Sequence, residues 1–127
     1  MRKLLSISGV VGWVAAIFSV TAYADCSSPG TTLEINDCLL AEYNEADAKL
    51  NATYQRVMRG FSKPDQPGHI HYAEAKENLI EAQRAWIKYR DKDCYAVYAL
   101  AVGASMRGQL SLQCKRGRTE QRIKELE

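Results

Sequence analysis

Few side chains in this 127-residue sequence are placed to act as acids, bases or metal ligands. His69 and His71 lie two positions apart, so on a helix they would point in different directions and could not share a metal ion. Glu74, Glu77 and Glu81 have helical spacing and could imitate the paired carboxylates of a glycosidase. Basic residues at i, i+4 spacing lie among them, as is typical of a solvated helix face. The sequence therefore predicts a protein that is not an enzyme, with no catalytic residue, metal site or cofactor.

The four cysteines are better suited to disulfide bonds than to zinc binding. Their separations of 12, 56 and 20 residues lack the C-x-x-C spacing of zinc sites. Four cysteines allow three pairings, and sequence alone does not formally choose among them. Cys94 and Cys114 are nearly equidistant from a turn at Gly103, so they would face each other across an antiparallel hairpin. We therefore predict Cys94–Cys114, with Cys26–Cys38 fastening the N-terminal leader to the first helix.

The first 24 residues have the features of an export signal. Two basic residues precede an apolar run, and the segment closes on the A-x-A cleavage pattern Ala22-Tyr23-Ala24. The apolar run is short for a membrane span, and no lipid-attachment box precedes Cys26. We predict a cleaved signal peptide (residues 1–24) and a single helical domain (residues 25–127). The mature protein would be periplasmic or secreted, in an oxidising compartment and without a membrane anchor.

Residues 25–127 carry 15 acidic and 15 basic side chains, a balance that gives no support for nucleic-acid binding. The charges are nevertheless separated along the chain. No basic residue of the mature chain precedes Lys49, and basic residues outnumber acidic ones near the C-terminus. Asp37, Glu42 and Glu45 belong to the acidic stretch, and we expect them on the solvent face near the start of the first helix. Either these acids stabilise a helix N-terminus through the macrodipole, or they attract a basic protein partner.

Hydrophobic side chains recur at spacings of three and four in three successive segments, which indicates helices. The first segment begins at a capping box formed by Thr31 and Glu34. Prolines and a glycine in residues 62–68 predict a loop. The second segment is followed by Gly103, suited to a helix C-terminus, and Ser105, suited to cap the third helix. No segment alternates with period two, so we predict an all-α antiparallel helical hairpin or three-helix bundle.

Polar side chains interrupt the apolar stripes of all three predicted helices. An arginine at such a position is costly to bury unless a carboxylate or amide meets it. One arrangement is a buried polar network in which Asp47 and Asn51 of the first helix face Gln83 and Arg90 of the second. The alternative is a polar pocket that binds a ligand. The polar residues are Asp47, Asn51, Gln83, Arg90, Thr119 and Arg122, and the predicted aromatic core residues are Tyr54 and Trp86.

Residues 82–94 contain the pattern Q-x-x-W-x-x-x-R-x-x-x-C. Together with residues 46–54 and the positions of Cys38 and Cys114, this pattern resembles the LprI-type lysozyme-inhibitor family of small exported bacterial proteins. The resemblance covers nearly all of residues 25–127. It implies an all-helical domain with two disulfides, and an inhibitor of cell-wall hydrolases.

Two classes of function follow from these features. The first is an exported inhibitor or immunity protein that binds a peptidoglycan hydrolase, such as a lysozyme or an amidase, without catalysis. Asp37, Glu42 and Glu45 are then the predicted partner-binding residues. The second is a periplasmic module that binds a small ligand or an envelope partner through its polar residues and inhibits nothing. Neither class requires a nucleic acid or a membrane as partner.

Overall fold

The computed structural model describes Cys26 and residues 30–127. These residues form three helices: α1 (Thr32–Gly60), α2 (Tyr72–Leu100) and α3 (Arg107–Leu126). Across this described part, no strand forms, and no helix is both long and apolar enough to cross a membrane. The all-α prediction is confirmed. The predicted signal peptide lies outside the described residues.

The start of α1 is fixed by the predicted capping box. The Thr31 hydroxyl accepts a hydrogen bond from the backbone N–H of Glu34 (3.3 Å), and the Glu34 carboxylate accepts one from the backbone N–H of Thr31 (2.8 Å). Both bonds satisfy N–H groups that the first helical turn leaves free. The hydrogen bonds from Thr31 favour the ionised carboxylate and therefore lower the pKa of Glu34.

The loop between α1 and α2 supplies a helix cap that sequence spacing did not identify. The Asp65 carboxylate accepts a hydrogen bond from the backbone N–H of Ala73 at 3.0 Å, in the first turn of α2. His71, which directly precedes α2, makes no capping bond with its side chain. The loop can fold back in this way because Gly68 adopts a positive φ of 77°, a conformation that favours glycine. The cap is thus contributed from eight residues away.

The turn between α2 and α3 differs from the sequence prediction in one respect. Gly103 has a φ of 92°, as its position after α2 suggested. The proposed Ser105 cap is wrong, because α3 begins after Met106 and has no side-chain capping bond. The backbone carbonyl of Ala104 instead accepts from the N–H of Arg107 at 3.3 Å, so the main chain itself closes the turn.

Both predicted disulfides are confirmed. Cys26 and Cys38 are bonded with their Cα atoms 5.7 Å apart, and the Cα atoms of Cys94 and Cys114 are 5.5 Å apart. Cys94 is fully buried. All four cysteines are therefore oxidised and held at one end of the bundle, and none remains as a thiol.

The three helices form an up-down-up bundle in which α3 is the shared element. α3 packs along α1 and along α2, whereas α1 and α2 approach each other less closely. The buried apolar side chains are few: Leu39, Ala46, Leu50, Cys94 and Ile123. Polar residues occupy the rest of the buried centre, namely Thr53, Gln83, Arg90 and Thr119. A core of this composition depends on polar contacts as well as on apolar burial.

Replacing Cys94 and Cys114 together by alanine is expected to lower the free energy of unfolding by about 3 kcal/mol or more, from loop entropy plus lost packing at the buried Cys94. The matched control is the alanine pair at Cys26 and Cys38, which closes a shorter loop and should cost less. Urea denaturation of both variants measures the difference. A larger loss from the Cys26 and Cys38 pair would contradict this ranking.

Candidate functional site

Arg90 lies at the centre of the bundle between two aromatic rings. Its guanidinium carbon is 5.2 Å from the centre of the Trp86 ring and 5.5 Å from that of Tyr43. Only 6% of Arg90 is exposed. A planar cation over an aromatic face is attracted by the ring quadrupole, and the attraction is stronger where water is excluded. The two rings therefore accommodate a charge that an apolar core would reject.

Two more cations extend this arrangement. The Arg122 guanidinium lies 6.0 Å from the centre of the Trp86 ring, and the Lys115 ammonium lies 6.0 Å from that of Tyr43. We call these five residues the cation–aromatic stack: Arg122, Trp86, Arg90, Tyr43 and Lys115. Its members come from all three helices, with Tyr43 on α1, Trp86 and Arg90 on α2, and the outer cations on α3. The stack thus connects all three helices.

Carboxylates neutralise the central cation of the stack. Arg90 donates from Nη1 to Asp47 Oδ1 (3.0 Å) and from Nε to Asp91 Oδ1 (3.1 Å). Asn51 donates weakly to the second oxygen of Asp47 at 3.4 Å. Lys115 Nζ approaches Asp91 at 4.0 Å. Charge-assisted hydrogen bonds of this kind make the burial of Arg90 tolerable.

The same contacts set the protonation states at the centre. Burial alone would lower the pKa of Arg90, but Tyr43 and the carboxylates of Asp91 and Asp47 raise it above its ordinary value. Burial raises the pKa of the Tyr43 hydroxyl, and the nearby carboxylates add to this effect while Arg90 opposes it. Arg90 therefore remains charged and Tyr43 neutral at physiological pH.

The remaining predicted polar residues form a second, separate set of contacts. Gln83 accepts a hydrogen bond from Arg122 Nε at 3.1 Å and so pairs with α3, not with the α1 residues proposed to face it. Arg122 also donates to Glu125 at 3.0 Å. Thr119 is fully buried and donates to the carbonyl of Lys115 at 2.8 Å. These internal partners support the proposal that the polar residues are structural and do not line a ligand pocket.

Each fixed position of the Q-x-x-W-x-x-x-R-x-x-x-C pattern has a partner inside the chain. Gln83 binds Arg122, Trp86 and Arg90 belong to the cation–aromatic stack, and Cys94 is bonded to Cys114. The spacings of three, four and four place all four side chains on one face of α2. The pattern therefore describes how α2 attaches to its neighbours.

The aromatic residue on α1 that joins the stack is Tyr43, which sequence reasoning passed over in favour of Tyr54. Tyr54 is half-buried and makes no ring contact or hydrogen bond with the described residues. Tyr43 lies one helical turn before Asp47, and both contact Arg90. This i, i+4 relation was the available signal, because side chains four apart share a face.

The three acidic residues predicted to bind a partner differ in their surroundings. Asp37 and Glu45 are exposed, and neither forms an ion pair within the described part of the chain. Glu42 was expected on the solvent face as well, and that expectation is wrong. It is half-buried and ion-paired with Arg116 of α3, which also pairs with Glu120 at 3.4 Å. Glu42 is covered because the basic helix α3 lies parallel to the acidic helix α1.

Two further features have side chains that could bind a ligand. Asp93 lies close to the sulfurs of Cys94 and Cys114, but those sulfurs form a disulfide and offer no thiolate to a metal ion. Asp93 itself pairs with Arg118 at 2.8 Å. A groove of about 330 Å³ between α1 and α3 is lined by side chains of both charges, including Lys49 and Lys124. Its unlike charges favour no single class of ligand.

Replacing Arg90 by alanine is expected to lower the free energy of unfolding by about 3 kcal/mol, because two ring faces and two carboxylates lose their common partner. Arg84→Ala is the matched control, since Arg84 is exposed on the same helix and should cost roughly 0.5 kcal/mol or less. Arg90→Lys keeps the charge but not the planar group, so it should lie between the two. Equal, small losses in urea denaturation for all three variants would show that the stack contributes little.

Comparison with known proteins adds to this picture. Residues 24–126 match the family model described as lysozyme inhibitor LprI. An uncharacterized protein of Rhizobium meliloti is 39% identical over 105 residues, covering 80% of this chain and 76% of the relative. The uncharacterized protein YecT of Escherichia coli is 35% identical over 81 residues, covering 59% of this chain and 50% of YecT. No solved structure matches the sequence. The chain therefore belongs to the lysozyme inhibitor LprI family.

Proposed function

We propose that this protein is exported and binds a peptidoglycan hydrolase of the lysozyme type, which it inhibits without catalysing a reaction. The observation that carries the proposal is the family match, which spans the entire helical bundle and all four cysteines. Two disulfides in so small a domain suit an oxidising compartment, and so does the predicted signal peptide. A bacterial periplasm or the external medium is where such an enzyme would be met.

The organisation of the charged residues supports a binding role over a catalytic one. The most buried arginine is engaged by aromatic rings and carboxylates, and Arg122 is engaged by an amide and a carboxylate. Such internally satisfied groups stabilise one conformation and leave, among the described residues, no unpaired buried acid or base to act on a substrate. The result is a rigid scaffold that can present its surface to a partner.

Electrostatic attraction supports the choice of partner. Enzymes that act on the anionic cell wall benefit from cationic surfaces, which would be drawn to acidic residues on this protein. Asp37 and Glu45 remain available for this role, whereas Glu42 is held by Arg116. Rim charges mainly accelerate association and orient the partners, so the association rate should fall as salt rises.

The proposal is tested by adding purified residues 25–127 to a cationic c-type lysozyme and to an N-acetylmuramoyl amidase during lysis of cell-wall suspensions. Inhibition at stoichiometric concentrations, with binding seen by calorimetry, is the expected result. Full hydrolase activity at excess protein, with no heat of binding, would contradict it. That outcome would favour the alternative of a binding module for a small ligand or an envelope partner.

The combined variant Asp37→Asn and Glu45→Gln is expected to slow association with the hydrolase several-fold at low salt while leaving dissociation nearly unchanged. The matched control is Glu42→Gln, which breaks the pair with Arg116 and should lower stability more than it changes association. Stopped-flow association at two salt concentrations, with a parallel melt of each variant, separates these effects. Equal association rates for wild type and the double variant would exclude steering by these acids.

A further inference from the structure

One end of the bundle combines the start of α1, the end of α2 and the start of α3. Residues from all three helices line a notch of about 340 Å³ there, including Asn36, Asp37 and Leu40 of α1, Tyr98 of α2, and Leu112 and Lys115 of α3. Both disulfides attach at this end, through Cys38 on α1 and through Cys94 and Cys114. We call this region the disulfide end.

The disulfide end carries most of the exposed apolar surface of the described residues. Leu100 is 89% exposed, Val102 is 73% exposed and Leu33 is 68% exposed. With Leu40, Tyr95 and Met106 they make six of the nine large hydrophobic side chains that are exposed in the described part of the chain. Single exposed apolar residues are ordinary, but a group of this kind marks an interaction surface.

The sequence of this end is also unusually poor in charged residues. Residues 95–106 contain no charged side chain over 12 positions, the longest such run after residue 24, although a quarter of the whole chain is charged. This uncharged segment covers the last turns of α2 and the turn that leads to α3. A solvent-exposed turn would ordinarily be polar. Its composition is therefore better explained by contact with another molecule than by exposure to water.

The uncharged segment is also held in a defined conformation. Cys94–Cys114 fixes its beginning to α3, and Gly103 sets the turn with a positive φ. The rings of Tyr95 and Tyr98 stack with their centres 5.8 Å apart, and the Arg107 guanidinium lies 4.6 Å from the centre of Tyr98. A segment that is already ordered loses little entropy on binding, which favours affinity.

The notch beneath the segment indicates the charge of the partner. Asn36 lines this notch, and its side-chain oxygen is buried without a hydrogen-bond partner among the described residues. The exposed carboxylate of Asp37 lines the same notch. Lys115 also lines the notch but does not pair with Asn36 or Asp37, because its ammonium group is near Asp91 and the Tyr43 ring. An orphan acceptor beside a free carboxylate suits a cationic donor such as an arginine or lysine side chain.

We infer that the disulfide end is the surface that docks the hydrolase, an assignment that rests on the function proposed above. Residues 95–106 enter the substrate cleft of the enzyme, and a cationic side chain from the rim of the cleft occupies the notch. An exposed apolar segment suits a concave, mostly apolar site, and binding in the cleft explains inhibition without catalysis. A second copy is a poorer occupant, because Arg107 and Lys115 at this end are already engaged by Tyr98 and by Asp91.

The test measures the affinity of residues 25–127 for a cationic c-type lysozyme by calorimetry, together with inhibition of cell-wall lysis. The variant Leu100→Ser with Val102→Ser should weaken binding at least about tenfold, as loss of central apolar contacts does. The matched control, Ile70→Ser with Ile87→Ser, removes exposed apolar groups away from the disulfide end and should leave affinity unchanged. Thermal melts verify that both variants are folded.

A second variant tests the notch. Asn36→Leu removes the orphan acceptor at similar volume, so it should leave stability unchanged or raise it, while weakening lysozyme binding several-fold. A purely structural role for Asn36 predicts the opposite, a loss of stability with unchanged affinity, and that result overturns the role of the notch.

The possible outcomes distinguish a failure of the proposed function from a failure of the docking assignment. Wild-type protein that fails to bind any hydrolase refutes the proposed function itself. Wild-type protein that binds, with a Leu100 and Val102 variant that binds equally well, leaves the function standing and overturns the docking assignment. Wild-type dimers that dissociate on the same substitutions, seen by sedimentation without a hydrolase, would show that a second copy covers this end and would also overturn it.

Discussion

Arg90 brings a positive charge into the centre of a bundle whose apolar core is small, and a buried guanidinium is tolerated only when its charge and N–H groups are satisfied. Its direct partners come from α1 and α2, and a cation of α3 lies beside one of them. Tyr43 and Asp47 come from α1, Trp86 and Asp91 from α2, and Lys115 supports Asp91 from α3. Moving α1 by one turn would take Tyr43 and Asp47 away from Arg90, so the polar centre fixes the register of α1 against α2 as well as contributing to stability.

This dependence changes what the family pattern means for function. Its glutamine, tryptophan, arginine and cysteine are directed at neighbouring helices, so the pattern describes a method of assembly. Binding function depends on the exposed surface, since one fold can present many different surfaces. On this bundle the surface that departs from ordinary solvent-exposed composition is the disulfide end. The Cys94–Cys114 disulfide there stabilises the scaffold and also orders the adjacent turn.

Local features of this fold could be predicted from sequence, whereas most contacts between distant segments could not, the pairing of Asp47 with Arg90 excepted. Helix extents and the Thr31 cap depend on neighbouring residues, Cys94–Cys114 followed from hairpin symmetry, and Cys26–Cys38 followed from the short N-terminal loop. Apart from the Ser105 cap, which was a local assignment, the assignments that failed depended on tertiary placement. Glu42 was expected in solvent because the position of α3 alongside α1 is not visible in a helical period. The cap from Asp65 was missed for the same reason, since a folded loop carries it to α2.

In the proposed complex, the residues that hold the scaffold differ from those that contact the partner. Amide hydrogen exchange of residues 25–127 with and without lysozyme tests this difference. Without lysozyme, the slowest exchange should lie around the cation–aromatic stack, at residues 83–94 and 115–123, where opening requires global unfolding. Lysozyme should add protection mainly at residues 33–40 and 95–106. Added protection confined to residues 62–71 or to the outer face of α2, with none at the disulfide end, would contradict the assignment of the disulfide end as the docking surface.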